Sequence, residues 1–159
     1  MTNYEIATKD GFTVLGLGTT LSGDYQQLPA QKQAFWQQVT TTPRYQALKA
    51  SAKNAWEFAV NEAIDGVMYF YAGVQTATDV QPAADTERAI QFPTSSYLIV
   101  KGTADTAINL FGQLEGAAFG QILPSLTDQA YVGGPNATVI TTSTPEQVTG
   151  ELWIPITNK

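Results

Sequence analysis

Trp56-Glu57-Phe58-Ala59-Val60-Asn61-Glu62 and Val67-Met68-Tyr69-Phe70-Tyr71-Ala72-Gly73-Val74 stand on either side of Asp65-Gly66. Aromatic and β-branched runs flanking Asp-Gly predict a β-hairpin. Side chains alternate across a strand, so Tyr69 and Tyr71 share one face and Met68 and Phe70 the other. The Met/Phe face is expected in the core, and the Tyr/Tyr face is free to line a wet cavity.

Upstream of the hairpin, Phe12-Thr13-Val14-Leu15-Gly16-Leu17 reads as a strand and the stretch from Gly18 to Gly23 as a loop. Pro29 suits the first turn of a helix, and Phe35, Trp36 and Val39 follow at helical spacing. Thr40-Thr41-Thr42-Pro43 interrupts that helix, because the residue before proline is driven out of the helical region. A second helical stretch is expected from Arg44 through Leu48 towards Lys53.

Downstream, Gln75 to Asp85 reads as a polar connector between two halves. Ala89-Ile90-Gln91-Phe92 and Tyr97-Leu98-Ile99-Val100 have strand character. Asp105 is the expected N-cap of a helix carrying Ala107, Leu110, Phe111, Leu114 and Ala118 on one stripe and ending before Leu123-Pro124. Gly112, Gly116 and Gly120 recur every four residues, each costing about 1 kcal/mol in helix propensity, which suggests close packing on a sheet. Ala137 to Thr142 and Glu151 to Ile156 close the chain as strands. The expected fold is α+β: two βαββ repeats, about 12–77 and 88–157, with pseudo-two-fold symmetry, an antiparallel sheet with helices on one face, and a central ligand cleft, all in a single domain over 1–159.

The chain of 159 residues is long enough to bury a core without staples. It has no cysteine and no histidine, which removes disulfides, thiolate nucleophiles, imidazole bases and the commonest soft metal ligands. No metal and no cofactor are expected. The start of the chain, Met1 to Asp10, is polar and no apolar run approaches a membrane span, so a soluble cytoplasmic protein is expected. Eight basic against fourteen acidic residues leave a net charge of -6, with the basic residues scattered singly. Without a basic stripe to neutralise phosphates, nucleic acid is not an expected partner.

Several local motifs carry nothing. Gly16-Leu17-Gly18 lacks the third glycine of a dinucleotide loop, since Leu21 stands there. Asn136-Ala137-Thr138 matches a glycosylation sequon by chance. Gly133-Gly134-Pro135-Asn136 is a turn by composition, with a functional loop as the alternative. Asp79, Asp85 and Glu87 with Arg88 read as a solvated loop.

Four ordered motifs resemble a known family: Tyr71-Ala72-Gly73-Val74 ending a strand, Phe92-Pro93 leading into Tyr97-Leu98-Ile99-Val100-Lys101-Gly102, Leu123-Pro124-Ser125 after the second helix, and Gly150-Glu151-Leu152-Trp153-Ile154-Pro155-Ile156 at the end. Over about Phe12 to Ile156 the chain is similar to the GyrI-like or AraC-type effector-binding domains, which also occur as stand-alone and integron-associated proteins. The resemblance implies paired βαββ units with a ligand cleft between them. Members with a fused helix-turn-helix domain sense lipophilic, often cationic compounds through an acid among aromatics, and some are reported to hydrolyse strained cyclopropane toxins with a glutamate. Many carry Glu-x-Tyr on the strand before the last, where Thr138 and Ile140 stand here. Any negative charge is then left to Glu151, with Glu57 and Glu62 behind it.

Glu151 and Trp153 fall two apart on one strand face, the composition of half a cation site. The expected function is a stand-alone binder of a lipophilic, drug-like molecule, cationic or neutral, since no DNA-binding segment precedes Phe12. Its pocket is expected to use Trp36, Tyr69, Tyr71, Tyr97, Glu151 and Trp153. The alternatives are a hydrolase, with Glu151 as general base and a tyrosine hydroxyl as donor, and a protein-binding inhibitor module. No membrane partner is expected, and a homodimer is left open.

Overall fold

In the computed structural model, which describes residues 3–24, 26–83 and 86–159, Asp65 and Gly66 both take positive φ, 52° and 80°. That is the turn whose twist matches the strands it joins. It links β3 (Glu57–Ile64) to β4 (Val67–Thr76), paired from Phe58 opposite Gly73 to Ile64 opposite Val67. Before this hairpin come β1 (Asn3–Lys9), β2 (Phe12–Leu21), α1 (Leu28–Val39) and α2 (Pro43–Ala50). After it come β5 (Glu87–Phe92), β6 (Ser95–Ala104), α3 (Ala107–Ala117), β7 (Gln129–Tyr131), β8 (Asn136–Ser143) and β9 (Val148–Asn158).

Among the described residues the strands form one antiparallel sheet in the order β1-β6-β9-β8-β3-β4-β2-β5, with β7 added beside β9. The order reads alike from both ends. One βαββ unit contributes β2, β3 and β4, the other β6, β8 and β9, and β3 meets β8 at the centre. The strand that leads each unit is exchanged: β1 pairs with β6 of the second unit and β5 with β2 of the first. The fold is thus the expected α+β arrangement, with β1 and β7 as strands that the sequence did not announce.

Helix boundaries follow local chemistry. Thr42 caps α2 by accepting from the Tyr45 N–H at 3.2 Å, with Pro43 in its first turn. For α3 the cap is Thr106, accepting from the Asn109 N–H at 3.1 Å, not Asp105, which accepts from the Asn109 side chain at 2.6 Å. Leu123-Pro124 does not stop the helical path either. α3 runs on through a π-helical segment, Ala118–Ile122, into a turn at Leu123–Ser125, where proline falls at a position that needs no N–H donor.

Both faces of the sheet are buried, by different means. On one face, Leu15, Phe70, Ala72, Leu98, Leu152 and Ile154 pack under Trp36 of α1, Tyr45 and Leu48 of α2 and Leu110, Phe111 and Leu114 of α3. The other face carries Phe12, Phe58, Tyr71, Phe92, Tyr97 and Trp153 and no helix. It is covered by the sheet itself. Phe12 on β2 and Trp153 on β9 lie four strand spacings apart, about 19 Å in a flat sheet, yet their ring centroids are 5.5 Å apart. The sheet curls towards this face until its aromatic side chains meet. Gly16 and Gly18 belong to this packing, because a Cβ at either would run into the Tyr71 side chain.

Candidate functional site

Trp36 and Phe111 meet edge to face at 5.0 Å and 82°, where α1 touches α3 above the sheet. One turn before Trp36 stands Lys32, and one turn after Phe111 stands Glu115, which places the two opposite each other on antiparallel helices. Lys32 Nζ lies 3.0 Å from Glu115 Oε1. Beside this pair lies a cleft of about 720 Å³, within the range of small-molecule sites.

The cleft walls are mostly apolar: Leu28 and Pro29 of α1, Phe111 of α3, Met68 of β4, and Phe119 on the π-helical segment. Gly112 and Gly116 also line it, and a Cβ at either would meet nothing within 4 Å. The glycine spacing therefore leaves space open instead of allowing close packing on the sheet, and Gly120 is equally unopposed.

The polar floor is built where the two βαββ units meet. Asn61 and Asn136 are register partners on β3 and β8, and Asn61 Nδ2 donates to Asn136 Oδ1 at 3.0 Å. Asn136 Nδ2 donates to the Tyr131 hydroxyl at 3.2 Å, and that hydroxyl donates to the Gly134 carbonyl. Burial raises the pKa of Tyr131, so it stays a neutral donor. Among the described residues, Asn61 Oδ1 and Thr138 Oγ1 are the buried side-chain atoms with no partner. Thr138, in register with Ala59 and Leu152, points into the helix-facing core at the position where the resemblance leads one to look for an acid.

The residues expected to form one pocket are divided by the sheet. Trp36 is on the helical face, whereas Tyr69, Tyr71, Tyr97 and Trp153 belong to the aromatic face. Thr138 is paired with Leu152, so its face is that of Leu152 and Glu151 points the other way. The aromatic face is filled with rings. Trp153 packs against Phe12, Trp56 and Phe58, Tyr69 stacks on Tyr71 at 6.2 Å, and Tyr97 is fully buried. Half-buried Glu151 accepts from the Trp153 indole N–H at 2.8 Å, and Lys9 Nζ stands 4.0 Å from the centroid of Trp153. Glu151 lines an open hollow of about 730 Å³ with Lys101, Thr103, Gln113 and Thr149, not with the tyrosines.

Two of the tyrosine hydroxyls are committed away from Glu151. Tyr97 donates to the Pro93 carbonyl at 2.6 Å and Tyr71 to Glu62 at 3.2 Å. Burial pushes both pKa values up to about 12, helped at Tyr71 by the Glu62 carboxylate. Glu62 is also held by Arg88 at 2.8 Å and Glu57 by the Tyr45 hydroxyl at 2.6 Å, so both weaker acid candidates are neutralised or bonded. Arg88 and Glu87, which pairs with Arg44 at 3.1 Å, are tied into the structure and do not form a solvated loop; Asp85 lies outside the described residues.

Lys32, Glu115 and the glycine wall escaped sequence reasoning. Glu115 follows Phe111 by four residues and Lys32 precedes Trp36 by four, so each flanks an apolar stripe. Nothing in either helix alone says that the two stripes meet. Among the described residues there is no cluster of three or more acidic groups able to hold a metal ion, and no helix long and apolar enough to cross a membrane.

Residues 5–156 match the sequence model of Cass2, described as integron-associated effector binding protein. No curated protein matches the chain. Among solved structures, a candidate bacterial transcription regulation protein from Staphylococcus aureus MU50 superposes with a TM-score of 0.74 at 14% identity, over 98% of this chain and 99% of the other. SAV2435, solved bound to tetraphenylphosphonium, gives 0.73 at 15% identity over 98% and 94% of the two chains. An integron cassette protein from the mobile metagenome of Vibrio cholerae gives 0.58 at 8% over 95% of each. Identities this low establish a shared fold.

Proposed function

Because the chain belongs to the Cass2 family of integron-associated effector binding proteins, we propose that it binds a lipophilic, cationic small molecule in the cleft between α1 and α3. The observation that carries this reading is the glycine wall. Gly112 and Gly116 each cost helix stability, yet neither makes a contact that demands glycine; what they maintain is the width of an apolar cleft. Glu115 supplies negative charge in that wall, and Phe111 and Phe119 supply aromatic surface. An apolar cavity favours any lipophilic molecule, while a partly desolvated carboxylate adds preference for a cation. A fold relative solved with tetraphenylphosphonium supports the same ligand class.

Methyltriphenylphosphonium and triphenylphosphine oxide have nearly the same shape and differ by one charge, so they are suitable probes. Calorimetric titration is expected to give tighter binding of the phosphonium. Gly116→Leu, whose Cβ meets no neighbour and whose side chain would occupy the cleft, is expected to weaken both probes at least tenfold with the fold retained. Unchanged binding by Gly116→Leu would rule out the cleft.

A second reading is favoured by Lys9, whose ammonium already rests on the Trp153 ring beside Glu151. It places a cation on the aromatic face, with Glu151 and Trp153 as the contacts and Tyr69, Tyr71 and Tyr97 as supporting rings. On this reading Glu151→Gln weakens the phosphonium far more than the neutral oxide. On the cleft reading it alters neither.

A further inference from the structure

Lys32 is an unusual occupant of an apolar cleft. Its side chain is only 11% exposed, whereas lysine normally keeps its ammonium in water. The ammonium is held by both oxygens of Glu115, at 3.0 and 3.4 Å, and stands 5.3 Å from the centroid of Phe70. A carboxylate on one side and an aromatic ring on the other is the composition of a site for an organic cation. Here the protein fills that site with a cation of its own.

We infer that Lys32 is a tethered competitor: its ammonium occupies the cation subsite of the cleft when no ligand is bound, and a lipophilic cation enters by displacing it from Glu115 and Phe70. This rests on the cleft being the binding site. The exchange has a physical logic on both sides. Without Lys32 the empty cleft would leave Glu115 partly desolvated and unpaired, which is costly. With it, the ligand must replace one charge contact by another, so observed affinity falls by the fraction of molecules in which the subsite is vacant. The flexible four-carbon stem of Lys32 allows its ammonium to swing to water when displaced. A neutral ligand offers Glu115 nothing in exchange and would have to bind beside an undisturbed ion pair. Lys32 thereby lowers the affinity for a cation, and its margin over a neutral ligand, without remaining in contact with the bound cation.

The test is titration of wild type, Lys32→Met and Lys32→Arg with methyltriphenylphosphonium and triphenylphosphine oxide. Methionine keeps most of the stem and removes the charge. Lys32→Met is expected to bind the phosphonium about tenfold more tightly, the size of one ion pair plus one cation–π contact, and the oxide within about twofold of wild type. Lys32→Arg is expected to stay close to wild type with both, and adding Glu115→Gln to Lys32→Met should abolish the gain. If Lys32→Met binds the phosphonium no more tightly than wild type while both proteins bind the probes, the pair is a structural tie between helices and the inference is wrong, with the cleft function intact. Equal tightening of both probes would likewise overturn it, since that reports added apolar surface. Failure of every variant to bind either probe would overturn the cleft function and this inference with it.

Discussion

Asn61 and Asn136 face each other across the two central strands, and the amide of one donates to the carbonyl of the other at 3.0 Å. The pair lies where the two βαββ units join and forms the floor of the cleft. Removing either partner strands a buried amide, which costs about 1–3 kcal/mol. Asn61→Ala and Asn136→Ala are each expected to lose that much in urea denaturation, and the double variant less than the sum. Strict additivity would show that the two side chains do not act as a pair.

Gly112→Ala and Gly116→Ala are expected to stabilise the protein by up to about 1 kcal/mol each, because alanine is the better helix former and its methyl group meets no neighbour. Thermal unfolding checks this. A drop in Tm for either would mean that the helix packs more closely there than its geometry indicates.

Trp153→Ala is expected to cost about 3–5 kcal/mol, as for a large aromatic removed from a filled core. A loss below 1 kcal/mol by chemical denaturation would mark Trp153 as a dispensable wall of a cavity and favour the second binding site.

Tyr71 and Tyr97 hold their protons up to about pH 12 in the folded chain but release them near pH 10 when unfolded. Between those values the folded state binds more protons, so stability falls as pH rises. The contribution is complete below pH 10 and lost by about pH 12, and Tyr45, raised further by burial and by Glu57, extends the loss upward. Urea midpoints should decline above pH 10, with a shallower decline in Tyr71→Phe. A midpoint constant to pH 11.5 would contradict this.

Sequence reasoning reached the hairpin, α1, α2, α3 and the paired βαββ order because each is written in local signals: Asp65-Gly66, Thr42-Pro43, and the Leu110 to Leu114 stripe. Strand alternation also put Tyr69 with Tyr71 and Glu151 with Trp153 correctly. It failed on what surrounds them. Alternation says which residues share a face, not what covers that face, and curling of the sheet turned an expected wet cavity into packed rings. β1 was missed because Tyr4 and Ile6 are exposed at the sheet edge and give no core pattern. The cleft was missed because it depends on α1 and α3 meeting at Trp36 and Phe111, two residues 75 positions apart, a relation that no periodicity encodes.

The most direct measurement of where a lipophilic cation binds is a two-dimensional ¹H–¹⁵N titration of the wild-type protein with methyltriphenylphosphonium. Binding in the cleft predicts saturable shifts at the backbone amides of Gly112 and Gly116 and at the side-chain amides of Asn61 and Asn136, with the Trp153 indole N–H, held by Glu151, unmoved. Shifts centred on the Trp153 indole N–H, with Gly112 and Gly116 unaffected, would contradict the cleft and move the site to the opposite face of the sheet.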